Sequence, residues 1–87
     1  MLPALFKALS DETRREILCL LQNGAMNAGS ISEELKIAPN KLTYHLNLLK
    51  EADLILEYKV KNYVYYEQNI TLLDEAIIWL ENLKQKR

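Results

Sequence analysis

Hydrophobic positions keep a helical period through the N-terminal part of this chain, switch to a period of two, and return to the helical period at the C-terminus. Leu2, Leu5, Phe6 and Leu9 recur at i, i+3, i+4, i+7 with Pro3 near the start, which predicts a short amphipathic helix. Ser10 is the expected cap of a second helix, with Asp11 and Glu12 on the positive end of its dipole and Ile17, Leu18, Leu20 and Leu21 as its apolar stripe. Asn23-Gly24 ends that helix. Asn27 caps a third, running to Lys36, in which Ile31 and Leu35 face inward and Glu33 and Glu34 face solvent.

After the break Ile37-Ala38-Pro39, a fourth helix projected at ~100° per residue puts Leu42, His45, Leu46 and Leu49 in one arc of about 100°. Asn40, Thr43, Tyr44, Asn47 and Lys50 fall roughly opposite. From Leu54 to Gln68 apolar and polar residues alternate, which predicts two strands with a tight turn at Lys61-Asn62, the asparagine taking a positive φ. Thr71 is the expected cap of a last helix, with Asp74 completing an acidic capping box. There Leu72, Leu73, Ala76, Ile77, Trp79, Leu80 and Leu83 span about 160°, wider than one supporting surface needs, and Ile78 lies outside even that arc. A polar Lys-Gln-Lys-Arg tail should fray.

Two short helices joined by a three-residue break and followed at once by a hairpin have the order of a DNA-reading winged helix. The expected fold is therefore α+β and mostly helical: five helices and a two-stranded wing, in a single domain over residues 1–87. Eighty-seven residues allow one modest core and little room for a catalytic cleft. No apolar run approaches the ~18 residues of a membrane span, and Met-Leu-Pro lacks the charged head of a signal peptide, so a cytoplasmic location is expected.

A net charge of −1 argues at first against a nucleic-acid partner. Its distribution argues the other way. Residues 36–66 carry five lysines against Glu51, Asp53 and Glu57, so the positive excess falls on the fourth helix and the hairpin. Amide, hydroxyl and ammonium groups on the outward face suit base edges and phosphates. Asn40, Lys41, Thr43, Tyr44 and Asn47 are the candidate major-groove residues, and Lys59 and Lys61 the candidate wing contacts with the flanking backbone. Leu2, Leu5, Phe6, Leu73, Ile77 and Leu80, on the first and last helices, are the candidate dimer interface.

Competing chemistry finds little support. With one histidine, one cysteine, no Gly-rich phosphate loop and no paired inward carboxylates, neither an acid/base pair nor an activated nucleophile can be assembled, so an enzyme is not expected. His45 lies on the apolar arc, which favours a partly buried, hydrogen-bonded histidine over a metal ligand. A Zn²⁺ site needs three or four ligands, and no metal or other cofactor is expected. Cys19 lacks an obvious basic activator and reads as inert. Tyr63, Tyr65 and Tyr66 read as packing residues whose alternate rings close the core, with one hydroxyl reaching solvent. Arg14 reads as structural, paired with a nearby carboxylate.

The segment Phe6-Lys7-Ala8-Leu9-Ser10-Asp11-Glu12-Thr13-Arg14-Arg15-Glu16-Ile17-Leu18 resembles the opening of the ArsR/SmtB family of bacterial winged-helix repressors. Thr43-x-His45-Leu46-x-x-Leu49 is similar to that family's reading helix, and Val64-Tyr65-Tyr66 to the end of its wing. The stretch Met26-x-Ala28-Gly29 is similar to the autorepressor subgroup related to the sporulation-delaying-protein repressor. The resemblance covers residues 5–83. It implies a homodimer on double-stranded operator DNA, with room for a membrane-bound or small-molecule antagonist. Glu12, Lys61 and Asp53 depart from the family's proline and two glycines, and the Cys-x-Cys pair and the Asp/His set of metal-sensing members are both missing. A winged helix that binds a protein instead of DNA, and an activator instead of a repressor, remain open on the sequence.

Overall fold

The computed structural model describes residues 2–85, and side chains from Pro3 to Gln85. Five helices and a small sheet follow in the order α1 (Leu2–Leu9), α2 (Glu12–Leu20), a 3₁₀ turn (Leu21–Asn23), β1 (Met26–Asn27), α3 (Ala28–Leu35), α4 (Pro39–Glu51), β2 (Ile55–Val60), β3 (Tyr63–Gln68) and α5 (Ile70–Gln85). The sheet is antiparallel in the order β1-β3-β2. This is the winged helix the sequence predicts, with one element more: β1 pairs Met26 with Tyr66 and Asn27 with Tyr65, too short for any alternation to register.

Local chemistry explains the boundaries. Asp11, one residue later than the expected Ser10, caps α2 by accepting the Arg14 N–H at 3.1 Å, while the Ser10 hydroxyl turns back to the Lys7 carbonyl. Asn27 caps α3 as expected, accepting from the Ser30 N–H at 2.8 Å. The break between α3 and α4 is closed reciprocally: the Ile37 N–H donates to the Ser32 carbonyl, and the Ser32 hydroxyl to the Ile37 carbonyl. Pro39 opens α4 without a side-chain cap ahead of it. Helix α5 starts at Ile70, so Thr71 lies inside the first turn and not before it. The first N–H bond there runs from Leu73 to the Asn69 carbonyl.

Lys36, Asp53 and Lys61 all hold left-handed backbone, at φ 56°, 60° and 56°. Each follows a segment that must reverse: α3, α4 and β2. At the wing tip it is Lys61, not the expected Asn62, that takes the positive φ. Two of these positions are those where Asp53 and Lys61 depart from the glycines of the resembled family, so the backbone keeps a glycine's conformation without the glycine.

The core gathers Leu5, Ile17, Leu21, Ile31, Leu42, Leu46, Leu49, Leu54 and Leu72 from all five helices and the links between them. Leu5 is fully buried here, in its own chain, and so leaves the candidate dimer interface. Strand pairing splits the wing tyrosines: Tyr66 sits across from Glu57 and packs against the core, Tyr65 stacks on Tyr58 on the other face at 6.0 Å, and Tyr63 is exposed. Only one of the three rings therefore closes the core.

Candidate nucleic-acid interface

Helix α4 is amphipathic in the sense its sequence demands. Leu42, Leu46 and Leu49 are buried, while Asn40, Lys41, Thr43, Tyr44 and Asn47 are all exposed. The Tyr44 ring, 61% exposed, meets the His45 ring in a T-shaped arrangement with centroids 5.2 Å apart. The Thr43 hydroxyl donates to the Pro39 carbonyl at 2.9 Å, which leaves its lone pairs outward as acceptors. Glu51 is exposed at the far end of the helix. A carboxylate there repels phosphate, so the stretch from Pro39 to Asn47 is the part fit to enter a groove.

Lys50 departs from the sequence reading. Its ammonium lies 2.6 Å from Glu57 on β2, which ties the end of α4 to the start of the wing instead of offering a free charge. That hydrogen bond raises the Lys50 pKa. Tyr66 sits beside the pair, its pKa raised by burial and then by the Glu57 carboxylate. Lys59 and Lys61 are exposed toward the wing tip, so the ion pair fixes the element that carries them relative to α4.

Behind α4 stands a contact the sequence reading missed in part. Arg14 is structural, but its side-chain partners are the Ala8 carbonyl (2.8 Å), the Lys7 carbonyl (3.3 Å) and Nδ1 of His45 (3.1 Å), not a carboxylate. His45 is thus the half-buried, hydrogen-bonded histidine expected. The signal was in the spacing: Arg14 precedes Ile17, Leu18 and Leu21 at i, i+3, i+4, i+7, an arginine on an apolar stripe.

The candidate dimer residues divide. The Leu2 side chain lies outside the described residues. Phe6 of α1 meets Trp79 of α5 at 5.7 Å between centroids, and both are partly exposed. Leu73 is half-buried, and Ile77 and Leu80 are exposed, as are Ile78 and Leu83. Only Leu72 and Ala76 of α5 are buried, so the helix docks through its first two turns, and its second half is exposed apart from the contact of Trp79 with Phe6. Cys19 is exposed at a groove of about 520 Å³ lined by Glu12, Arg15, Glu16, Leu20, Asn23 and Leu35. Among the described residues no three His, Cys, Asp or Glu side chains gather around one point, and no helix is long and apolar enough to cross a membrane.

The sequence pattern of a family described as a helix-turn-helix domain matches residues 9–58, from the end of α1 into β2. The chain is 43% identical over 81 residues to the transcriptional repressor SdpR of Bacillus subtilis, covering 93% of this chain and 90% of that protein. It is 30% identical over 79 residues to the transcriptional activator HlyU of Vibrio cholerae, covering 91% and 73%. The solved ArsR-like transcriptional regulator from Rhodococcus sp. RHA1 superposes with a TM-score of 0.90 at 32% identity, covering 95% of this chain and 76% of that one. The matched pattern spans the α3–α4 pair, and the shared length includes the wing and α5. This chain belongs to the helix-turn-helix transcriptional regulators of the ArsR/SmtB family.

Proposed function

We propose that this chain is a dimeric transcriptional repressor that binds a palindromic operator, each copy being one winged-helix unit with dimerisation helices at its ends. The observation that carries the reading is the outward face of α4, where five polar residues stand exposed on a helix anchored by buried leucines. Asn40, Lys41, Thr43, Tyr44 and Asn47 read or position on the major groove, and Lys59 and Lys61 hold the flanking backbone. Phe6, Leu73, Ile77 and Leu80, joined by Trp79 and Leu83, form the seam with the partner copy. Two-fold symmetry then sets the reading helices roughly 34 Å apart, in successive major grooves. Bound to a promoter in the cytoplasm, the dimer blocks polymerase, and a membrane-bound or small-molecule antagonist releases it.

Similarity to a protein named a repressor, over nearly the whole of both chains, supports this sign of regulation. The more distant relative named an activator supports the second reading, in which the same contacts recruit polymerase. Retention of labelled duplex under salt titration tests the DNA reading. A log-log slope set by the phosphate contacts is expected, and absence of duplex binding at low salt would make the fold a protein-binding module. Transcription in vitro from the chain's own promoter then separates repression from activation.

A further inference from the structure

Arg14 is 7% exposed, yet carries a full charge into the junction of three helices. Its Nε and Nη2 donate to the carbonyls of Ala8 and Lys7 at the end of α1, and Nη1 faces Nδ1 of His45 on α4 at 3.1 Å. A guanidinium has donors only and keeps its protons in a protein. The contact with Nδ1 is therefore a hydrogen bond only while that nitrogen offers a lone pair, which requires a neutral His45 with its proton on Nε2.

A second acceptor stands close by. Oδ2 of Asp11 is 3.9 Å from the same Nδ1. The Asp11 carboxyl is held below the usual carboxylate range, first by the Arg14 N–H and further by the Arg14 and His45 charges. It thus stays ionised wherever a histidine changes charge. Among the described residues, Arg14 and Asp11 are the charged groups of α2 and its cap that meet the imidazole. At this junction α1 presents the Lys7 and Ala8 carbonyls, its Lys7 side chain being exposed, and α4 itself adds the Tyr44 ring.

We propose that Arg14 is a positioning residue that locks α4 to α1 while His45 is neutral, and that one proton per chain passes the imidazole from Arg14 to Asp11 and lowers DNA affinity. Protonated, Nδ1 becomes a donor; it repels Nη1 and donates to Oδ2, so α4 is held by the cap of α2 and no longer through Arg14 by α1. The loss of affinity rests on α4 being the DNA-reading element. Histidine is the side-chain type that changes charge between pH 5 and 8, and this chain has one.

The test follows the imidazole ¹⁵N signals of that one histidine and the Arg14 Nε–H resonance by NMR in the full chain as the pH is lowered from about 8 to 5.5, across the range where histidine titrates. Binding to a duplex spanning the chain's own promoter is measured alongside at constant ionic strength. A single transition shared by both residues is expected, with affinity falling about tenfold across it, the scale of one charged hydrogen bond. His45→Gln, whose amide oxygen accepts from Arg14 and takes no proton, should match the parent at the upper pH and show a flat profile. Asp11→Asn keeps a helix cap but removes the anion, and should move the transition to lower pH. An Arg14 signal that stays still while His45 titrates overturns the proposal, as does a His45→Gln profile that follows the parent. The NMR arm needs no DNA: a shared transition in a chain that binds no duplex would sink the reading of α4 and leave the Arg14–His45 lock standing.

Discussion

Leu80→Ala is the sharpest test of the seam on α5. Leu80 keeps 47% of its surface exposed within one chain. Burying a whole leucine contributes roughly 1.5–3 kcal/mol, so about 1 kcal/mol remains to be gained against a partner. A two-fold axis counts each substitution twice, and the dimer should weaken by about 2 kcal/mol, roughly thirtyfold in its dissociation constant. Ile78 supplies the control. It is 56% exposed on the same helix, but at ~100° per residue it points about 160° away from Leu80, so Ile78→Ala should leave the dimer unchanged. Sedimentation equilibrium over a concentration series measures both. Equal weakening by the two variants, no weakening by either, or a well-folded parent monomer at micromolar concentration would refute the seam and, with it, the case for a palindromic operator.

Asn47→Ala should leave the melting temperature intact and weaken operator binding by about 1 to 3 kcal/mol per lost base contact, with Thr43→Ala at the lower end because its hydroxyl already donates to Pro39; parent-like binding by both would show that the face is misassigned. Lys59→Gln with Lys61→Gln should weaken operator and random duplex alike and reduce the salt slope by about 0.9 per phosphate contact, and an unchanged slope would free the wing from DNA. Lys61→Gly relieves a left-handed backbone at the turn and should raise stability by about 0.5 to 1 kcal/mol after the glycine's larger unfolded entropy is subtracted; chemical denaturation showing a loss would mean the lysine makes compensating contacts. The Asp11 carboxyl is depressed by the Arg14 N–H above all, so its contribution to stability is present above the unfolded carboxylate range and disappears as pH falls through the folded value. Asp11→Asn should therefore flatten the acid limb of a melting-temperature profile, and an unaltered limb would place that titration elsewhere.

The sequence by itself determined the order of the elements and the two faces of α4, because hydrophobic period is a local property: Leu42, Leu46 and Leu49 can be buried together only if Asn40, Thr43 and Asn47 are not. It also marked α5 as wider in its apolar face than one chain could cover, and Ile77 and Leu80 are indeed left exposed. Shifts of one residue, Asp11 for Ser10 and Lys61 for Asn62, escaped because neighbouring polar residues compete for one cap or one turn position and the winner depends on how the flanking elements meet. What joins distant segments was decided only by the tertiary structure. Lys50 looked like a free cation until β2 brought Glu57 to it, Leu5 looked like interface until the core closed over it, and β1 exists only because β3 passes beside Met26. Arg14 and His45 stand 31 residues apart in sequence. Each was read correctly as structural, but the bond between them arises from the packing of α1, α2 and α4 around one charge, and no period or composition encodes the meeting of three helices.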